Sequence, residues 1–372
     1  MKKAVLILMV NVFVVGLAAC TTITDETSAI VEETAAATHE AVPSAPAPTV
    51  ESTTSDEPTN TEEPAAVACP EATDSTYLLR DPRHGFCLLY PVTHKVERPN
   101  PQEVILVVGG LLNAGDPRAM IRVTPGEGRA AADTADEIVA AFEGFEIARS
   151  ETTVAGEPAV VLDNLPGQDI NRRVIFTHED RLYDIYFSPI DSANPAPLDA
   201  FVEGILGSFT FMPVSDAVTA ADECIEPKAD EQLITSEDFG YCFVAPADFT
   251  YEEPSETNAN LFVGSMMDVE HPKLMIEITD AGGKNATTAA DELAASFEGF
   301  EIPRTFGDTL GYEPAERLDG VPGQDLGRVL LAAHGDRLYR LTFVPADPSQ
   351  AEVYAQMETL FAKVLYTFRF LP

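Results

Sequence analysis

Two copies of one domain occupy most of this chain, at residues 69–213 and 224–372. The string FEGFEI occurs in both copies at one constant offset, as residues 142–147 and 297–302, and later motifs recur after a slip of one residue. Each copy has the length of an ordinary single domain. We therefore expect two similar units in tandem, joined by a short connector at 214–223 that few contacts cross.

The amino-terminal segment has the layout of a bacterial lipoprotein signal. A basic start precedes an apolar run, residues 4–19, that is too short to span a bilayer comfortably, and the run ends in small residues before Cys20. We predict that residues 1–20 are a lipoprotein signal peptide and that Cys20 becomes the lipidated amino terminus. An ordinary signal peptide and an uncleaved anchor are the alternatives.

Residues 21–68 are rich in Thr, Ala, Glu, Pro and Ser and contain neither Lys nor Arg. A segment of this composition buries too little apolar surface to offset the entropy lost on ordering. We predict a disordered acidic tether between the lipid and the first domain. A glycosylated stalk is the alternative that its Thr, Ser and Pro content leaves open.

The chain is strongly acidic, with a formal net charge of −38. The acidic residues are spread over the tether and both copies. Such a chain is repelled by nucleic acid and by anionic membrane surfaces, so we expect no nucleic-acid partner. Solubility is a sufficient explanation of the charge. The more specific alternative is that the charge attracts cations or basic partners.

The five cysteines predict lipid attachment and two disulfides. Once Cys20 carries lipid, four cysteines remain, and their equal spacing in the two copies selects the pairs Cys69–Cys87 and Cys224–Cys242. Disulfides require an oxidising exterior, so we predict an extracytoplasmic protein anchored to the bacterial cell membrane through Cys20. Without a Cys-x-x-Cys motif or histidines at ligand spacing, we expect no metal and no cofactor.

Each copy alternates between strand and helix patterns in the same order. In the first copy the predicted strands, with counterparts in the second, are residues 85–91, 103–108, 119–124, 157–163, 172–177, 182–187 and 208–211. One helix is expected after the third strand, capped by Asp133 or by Thr288, with Phe142 and Phe145 on its apolar stripe. Gly144 is expected to end it in a left-handed conformation. A second helix is expected at 198–206 in the first copy and at 351–364 in the second.

This order predicts an α+β fold, namely two tandem copies of an antiparallel sheet covered by helices. The pattern resembles the PsbP-like and DcrB-like families at Gly85-Phe86, at Tyr90-Pro91, in the hairpin 181–187 and in the closing segment 207–211. The second copy departs from the last motif. The resemblance implies a PsbP-like α/β/α sandwich. Members of the families are photosystem accessory subunits, small binding proteins and uncharacterised bacterial lipoproteins, and no functional residue transfers from them.

Two polar sets recur in both copies and are candidates for function. The first surrounds a predicted type II turn at Pro166-Gly167, and we assign it as a candidate binding edge that comprises Gln168, Asp169 and Arg172 with Gln324, Asp325 and Arg328. The alternative is that Asp169 only pairs with Arg172 across the turn. The second set places His178 near Asp180, and His334 near Asp336, but no nucleophile recurs beside them.

These observations favour a non-catalytic binding or accessory protein of the cell envelope. Its partner is expected to be an unknown envelope protein or a small ligand, and its contact with the membrane is expected through the lipid. An envelope hydrolase is the runner-up, and a nucleophile–base pair that faces a cleft would support it. A divalent-cation-binding protein is third, and it requires at least three carboxylates that converge in one pocket.

Overall fold

The computed structural model describes residues 68–110, 113, 115–190, 194–268 and 270–371. The predicted signal peptide, Cys20 and the tether up to residue 67 lie outside the described residues. Within those residues, no helix combines the length and the apolar character that crossing a membrane requires.

The two repeats contain the same elements in the same order. The elements of the first repeat are β1 (Thr76–Asp81), β2 (Phe86–Pro91), β3 (Lys95–Asn100), β4 (Glu103–Val107), β5 (Arg118–Pro125), α1 (Ala131–Ala141), β6 (Ala148–Val154), β7 (Glu157–Leu165), β8 (Asn171–His178), β9 (Arg181–Ser188), α2 (Ala196–Ser208) and β10 (Thr210–Phe211). The connector contains α3 (Ala220–Glu223). The elements of the second repeat are β11 (Glu231–Ser236), β12 (Tyr241–Pro246), β13 (Thr250–Ser255), β14 (Asn258–Phe262), β15 (Lys273–Asp280), α4 (Ala286–Ala295), β16 (Arg304–Leu310), β17 (Glu313–Val321), β18 (Gly327–His334), β19 (Arg337–Val344), α5 (Ala351–Thr367) and β20 (Arg369–Phe370).

Each repeat forms a seven-stranded antiparallel sheet and a three-stranded sheet. The strand orders are β3-β4-β5-β9-β8-β7-β6 and β1-β2-β10 in the first repeat, and β13-β14-β15-β19-β18-β17-β16 and β11-β12-β20 in the second. The predicted α+β class, with two tandem antiparallel sheets and helices that cover them, is confirmed.

Alternating side chains of β8 separate the two faces of the large sheet. Ile175 packs with α1 on one face, while Phe176 packs with the small sheet and α2 on the other. Phe176 stacks on Tyr183 with ring centres 5.0 Å apart, and the Tyr183 hydroxyl donates a hydrogen bond to the His84 carbonyl at 2.7 Å. Tyr339 repeats this contact in the second copy, where it donates to the Phe239 carbonyl.

Three strands in each repeat were not predicted, namely β1, β3 and β6 in the first copy. As a result the predicted first strand, residues 85–91, is in fact the second strand, and it pairs with β1 along its whole length. β6 is exposed at six of its seven positions, so it lacks the alternation that identifies a half-buried strand. It lies at an edge of the large sheet, where only one neighbour constrains it.

The predicted caps of the first helix are wrong by three residues. The helices α1 and α4 begin at equivalent alanines, so Ala130 and Asn285 occupy the N-cap. Asp133 instead lies in the first turn and accepts a hydrogen bond from the Ala130 N–H at 3.3 Å. Asn285 accepts one from the Thr288 N–H at 2.8 Å. The first alanine of each helix is buried, so the apolar pattern starts earlier than the predicted caps.

The end of the first helix bears out one prediction and corrects another. Gly144 has a φ of 94° and Gly299 a φ of 85°, the left-handed conformation expected at a helix end. Phe142 is half-buried, but Phe145 and its counterpart Phe300 are 60% and 63% exposed rather than in the core. The helix ends at Ala141, so the left-handed glycine turns Phe145 away from the apolar stripe.

The described residues of both repeats form one compact unit, in contrast to the expected scarcity of contacts across the connector. Val244 of the second repeat is fully buried in the main core of the first, where Ile225 joins it. Tyr312 packs against the same core from the second repeat. These contacts make the second repeat part of the packing of the first. The residues at which the domains were divided remain a prediction.

Candidate functional site

Both predicted disulfides are present in the structure. Cys69 bonds to Cys87 and Cys224 to Cys242, with Cα atoms 5.9 Å apart in each pair. Each bond ties the first residue of a repeat to that repeat's second strand. Disulfides persist in oxidising surroundings, so they indicate an extracytoplasmic compartment.

The predicted type II turn is not formed. β7 ends at Leu165 and β8 begins at Asn171, so Pro166-Gly167 belong to a longer connection. A type II turn needs a left-handed residue at its third position, and Gly167 is not left-handed. Asn164 adopts that conformation instead, with a φ of 65°, where the register of the β7–β8 pair shifts. The strand therefore contains an irregularity at Asn164, and the chain reverses after it, over residues 166–170.

Asp169 and Arg172 do not pair with each other. The Asp169 carboxylate accepts a hydrogen bond from the Arg118 guanidinium at 2.9 Å. Arg172 donates through Nε to Asp163 on β7 at 2.6 Å and through Nη1 to Asp199 on α2 at 3.2 Å. The arginine thus joins the large sheet to the second helix of its repeat.

Arg328 repeats this arrangement in the second copy. It donates through Nε to Asp319 at 2.5 Å and through Nη1 to Glu358 on α5 at 2.7 Å, and its guanidinium lies 4.7 Å from the Phe361 ring centre. The counterpart of Asp169, Asp325, forms no ion pair with any described residue. In the second repeat, Lys273 occupies the position of Arg118. Its ammonium donates to the Met266 carbonyl at 2.6 Å and not to Asp325.

The two glutamines of this candidate binding edge, Gln168 and Gln324, are both exposed. The structure thus brings the arginines into intramolecular ion pairs and leaves the glutamines open to solvent. Whether this edge binds anything stays a hypothesis.

The repeated histidines also have other partners than expected. His178 Nδ1 lies 2.8 Å from Glu157 and His334 Nδ1 lies 2.8 Å from Glu313, so Asp180 and Asp336 take no part. Each ring stacks on a phenylalanine of the closing strand, with ring centres 3.6 Å apart in the first copy and 4.1 Å apart in the second. The imidazoles therefore pack against the last strand of each repeat and help to hold it in place.

A cleft between the repeats was not predicted. It has a volume of about 900 Å³ and is walled by β1 and the β2–β3 turn of the first repeat and by the start of β11 and α5 of the second. This volume lies within the range of ligand-binding pockets, roughly 300–1,000 Å³. The side chains that line it include Tyr77, Thr93, Lys228, Glu231, Lys363 and Tyr366.

Glu231 holds the two walls of this cleft together. Its carboxylate is buried and accepts hydrogen bonds from the Tyr77 hydroxyl at 3.2 Å, from the Lys228 backbone N–H at 3.1 Å and from the Lys363 ammonium. Tyr77 belongs to the first repeat and Lys363 to the second. Burial raises the pKa of Tyr77, and the adjacent Glu231 carboxylate raises it further. The tyrosine therefore stays a neutral donor.

Lys228 differs from the other lysine of the cleft. Its ammonium donates to the Asp74 carbonyl at 2.7 Å and lies 4.4 Å from the Tyr77 ring centre. Burial lowers the pKa of Lys228, an effect that Glu231 opposes and Lys363 reinforces. Among the described residues, Lys95, Lys284 and Lys363 each form an ion pair with a carboxylate, whereas Lys228 and Lys273 form none. Of the two, only Lys228 lines the cleft.

One hydroxyl of the cleft contacts a histidine. Thr93 Oγ1 lies 3.1 Å from His94 Nδ1, and His94 Nε2 lies 2.8 Å from the Pro117 carbonyl. A carbonyl can only accept, so Nε2 carries the proton and Nδ1 accepts from Thr93. Burial lowers the pKa of His94, which favours this neutral form.

Metal ligands are not assembled in the part of the chain that the structure describes. No group of three or more His, Cys, Asp or Glu side chains is arranged there to hold an ion. The convergent carboxylates that the divalent-cation alternative requires are therefore not found among the described residues.

The cleft could not be found from the sequence because its walls are far apart in the chain. The one signal is a difference between the copies. α5 has 17 residues where α2 has 13, and Lys363 lies in its final turns. Helix length alone does not indicate which surface of the neighbouring repeat the helix will meet.

Comparison with known proteins finds matches among solved structures. No family model matches the chain, and no curated protein matches it. Among solved structures it is similar to cyanobacterial PsbP (CyanoP) from Synechocystis sp. PCC 6803, at 12% identity and a TM-score of 0.28. The match covers 38% of this chain and 94% of that chain. The α+β assignment rests on the sheets described above.

Proposed function

We propose that this protein is a lipid-anchored extracytoplasmic binding protein whose duplicated domains are non-catalytic and together hold one ligand or partner. The observation that carries the proposal is the cleft with walls from both repeats. Its central group, Glu231, accepts hydrogen bonds from Tyr77 on one side and from Lys363 on the other. A cleft that needs both copies gives the duplication a use that neither copy has alone.

The proposed attachment to the membrane rests on Cys20 and the acidic segment 21–68. If that segment is a flexible chain, its mean reach is on the order of 40 Å, enough to place the cleft clear of the bilayer surface. A lipidated cysteine carries more than one acyl chain, so attachment would be stable. Changing Cys20→Ala should release the protein from the membrane fraction. Retention in that fraction would contradict lipid anchoring.

Binding in the cleft can be tested in intact cells by site-specific photo-crosslinking. Thr359 lines the cleft and is exposed, so a photo-reactive side chain there should capture the bound molecule. The same group at Gln168 or Gln324 tests the candidate binding edge. At Glu143, an exposed residue that follows α1, it measures background capture. Capture from Thr359 alone supports the cleft. Capture only from the glutamines would place the binding site at the candidate binding edge. Equal yields from all four positions would contradict both the cleft and the edge as binding sites.

A second candidate, an envelope hydrolase, is favoured by the contact between Thr93 and His94. A neutral imidazole that accepts from a hydroxyl is the arrangement that activates a nucleophile. A fluorophosphonate probe, which phosphonylates an activated hydroxyl with loss of fluoride, should then label Thr93. Labelling that disappears in Thr93→Ala but persists in Thr359→Ala would support a hydrolase. Absence of labelling in the unsubstituted chain would reject it.

A further inference from the structure

Among the residues that the structure describes, Lys228 has no carboxylate partner, although carboxylates outnumber cationic side chains more than two to one in this chain, with 61 Asp and Glu against 23 Lys and Arg. An ammonium has three donors. One is satisfied by the Asp74 carbonyl, and the Tyr77 ring covers another side of the group. The neighbouring carboxylate, Glu231, is already bonded to Lys363 and Tyr77. Lys228 therefore has donor capacity that no described side chain uses.

The surfaces around Lys228 restrict the kind of molecule that could supply the missing acceptor. Val92, Val108 and Ala362 line the same cleft and are only half-buried, so the cleft that contains the ammonium also offers apolar surface. Asp74 and Asp230 also line it and are exposed. Their negative charges disfavour a dianion such as a phosphate monoester more than a singly charged group.

We propose that the cleft binds a monocarboxylate with an apolar body, whose carboxylate accepts hydrogen bonds from Lys228 and whose body packs on Val92, Val108 and Ala362. This inference rests on the proposed binding function and specifies its ligand class. A charge-assisted hydrogen bond fixes the head of such a ligand, and burial of its methylene groups supplies most of the affinity.

The chain contains no tryptophan, so a single introduced indole reports binding without background. Thr359→Trp places the reporter in the cleft, and Glu143→Trp places it on an exposed surface elsewhere. The full chain, with Cys20→Ala to avoid detergent, would be titrated with octanoate, 1-octanol and octylamine. We expect a saturable fluorescence change with octanoate at the cleft reporter alone, and at least about ten-fold weaker responses to the alcohol and the amine.

Lys228→Met keeps most of the apolar stem and removes the charge, so it should weaken octanoate binding about ten-fold or more. Lys284→Met changes the net charge equally, outside the cleft lining, and should leave binding unchanged. Equal affinity for octanoate and 1-octanol would overturn the inference, and this comparison needs no variant at Lys228. Equal loss in both variants would also overturn it. If octanoate does not bind but crosslinking from Thr359 captures a molecule, the ligand class is wrong and the proposed function stands.

Discussion

The Tyr312 ring of the second repeat lies 5.6 Å from the guanidinium carbon of Arg98 in the first repeat and 4.8 Å from that of Arg369. Arg98 is held in place by a hydrogen bond to Asp81 at 2.7 Å. Each of these cation–π contacts stabilises the packing of the ring by roughly 0.5–2 kcal/mol. At the equivalent position the first repeat has Gly156. The first repeat therefore has no ring at the position of Tyr312, and the contact with Arg98 and Arg369 has no counterpart made by Gly156.

Tyr312→Ala should weaken the whole described unit, because the ring also packs against the core of the first repeat. We expect the free energy of unfolding to fall by about 2 kcal/mol, less than for a fully buried aromatic residue. Thermal melting followed by circular dichroism would measure the loss. Phe300→Ala, which removes an exposed aromatic side chain from the same repeat, should change the melting temperature little. A loss as large as that of Tyr312→Ala would show that the interface is not the cause.

The repeated arginines should differ in their contribution to stability. Arg328 is 7% exposed and also stacks on Phe361, while Arg172 is 25% exposed and bonds to an exposed Asp199. Loss of Arg328 leaves Glu358 without an ion pair among the described residues and leaves Asp319 with Arg317 alone, at 3.6 Å. We expect Arg328→Met to cost about 2 kcal/mol and Arg172→Met less than about 1 kcal/mol. Urea denaturation of both variants measures the two costs, and equal costs would contradict this account.

The aspartates of the same loops allow a matched test of the candidate binding edge. Asp169→Ala removes the ion pair with Arg118 and should lower stability by about 1 kcal/mol. Asp325→Ala removes no ion pair among the described residues, so its melting temperature should be unchanged. If the edge binds a partner, both variants should lose capture in cells. If only Asp169→Ala has an effect, and only on melting, the edge is structural.

Local chemistry accounts for the parts of the fold that were predicted. The cysteine pairs follow from parity and equal spacing, and the hairpin at Glu179 and Gly335 follows from the short break between two alternating strands. Both residues adopt a positive φ, 51° and 59°. Alternation identified the strand that carries Tyr183 because one of its faces is buried. β6 has no such face, since its side chains are exposed as far as Thr153. A strand held mainly by backbone hydrogen bonds leaves no pattern in side-chain polarity.

The candidate site depended on contacts between distant segments. Asp169 and Arg172 are close in sequence, but each finds a partner on another element, and the choice follows from the register of the sheet. The cleft depends on how the repeats dock, and Tyr77 and Glu231 meet across it although a whole repeat separates them in the chain. Equal motifs in two copies predict equal folds. They do not predict the surface on which the copies meet.

In one cross-strand pair, the acidic and the basic residue exchange strands between the two repeats. Arg122 faces Asp184 across β5 and β9, whereas Glu277 faces Arg340 across the equivalent strands. Glu277 and Arg340 approach to 3.3 Å, but Arg122 instead bonds to Glu103. Asp184 is left with Arg173 at 3.6 Å, and its Oδ1 has no hydrogen-bond partner among the described residues. Burial raises the pKa of Asp184, which the two arginines oppose.

Asp184→Asn should therefore stabilise the protein near neutral pH. A carboxyl group whose pKa is raised by folding destabilises the folded state once it is ionised, and this cost disappears as the pH falls through the raised pKa. We expect the variant to melt about 1–3 °C higher at pH 7 and to lose this advantage below about pH 4. Asp222→Asn is the opposite control, because hydrogen bonds from Thr219 lower the pKa of that carboxyl. The Asp222→Asn variant should melt at a lower temperature than the unsubstituted protein at pH 7, and this difference in melting temperature should also disappear in acid. A neutral-pH loss in Asp184→Asn would instead mean that its attraction to Arg173 outweighs the cost of burial.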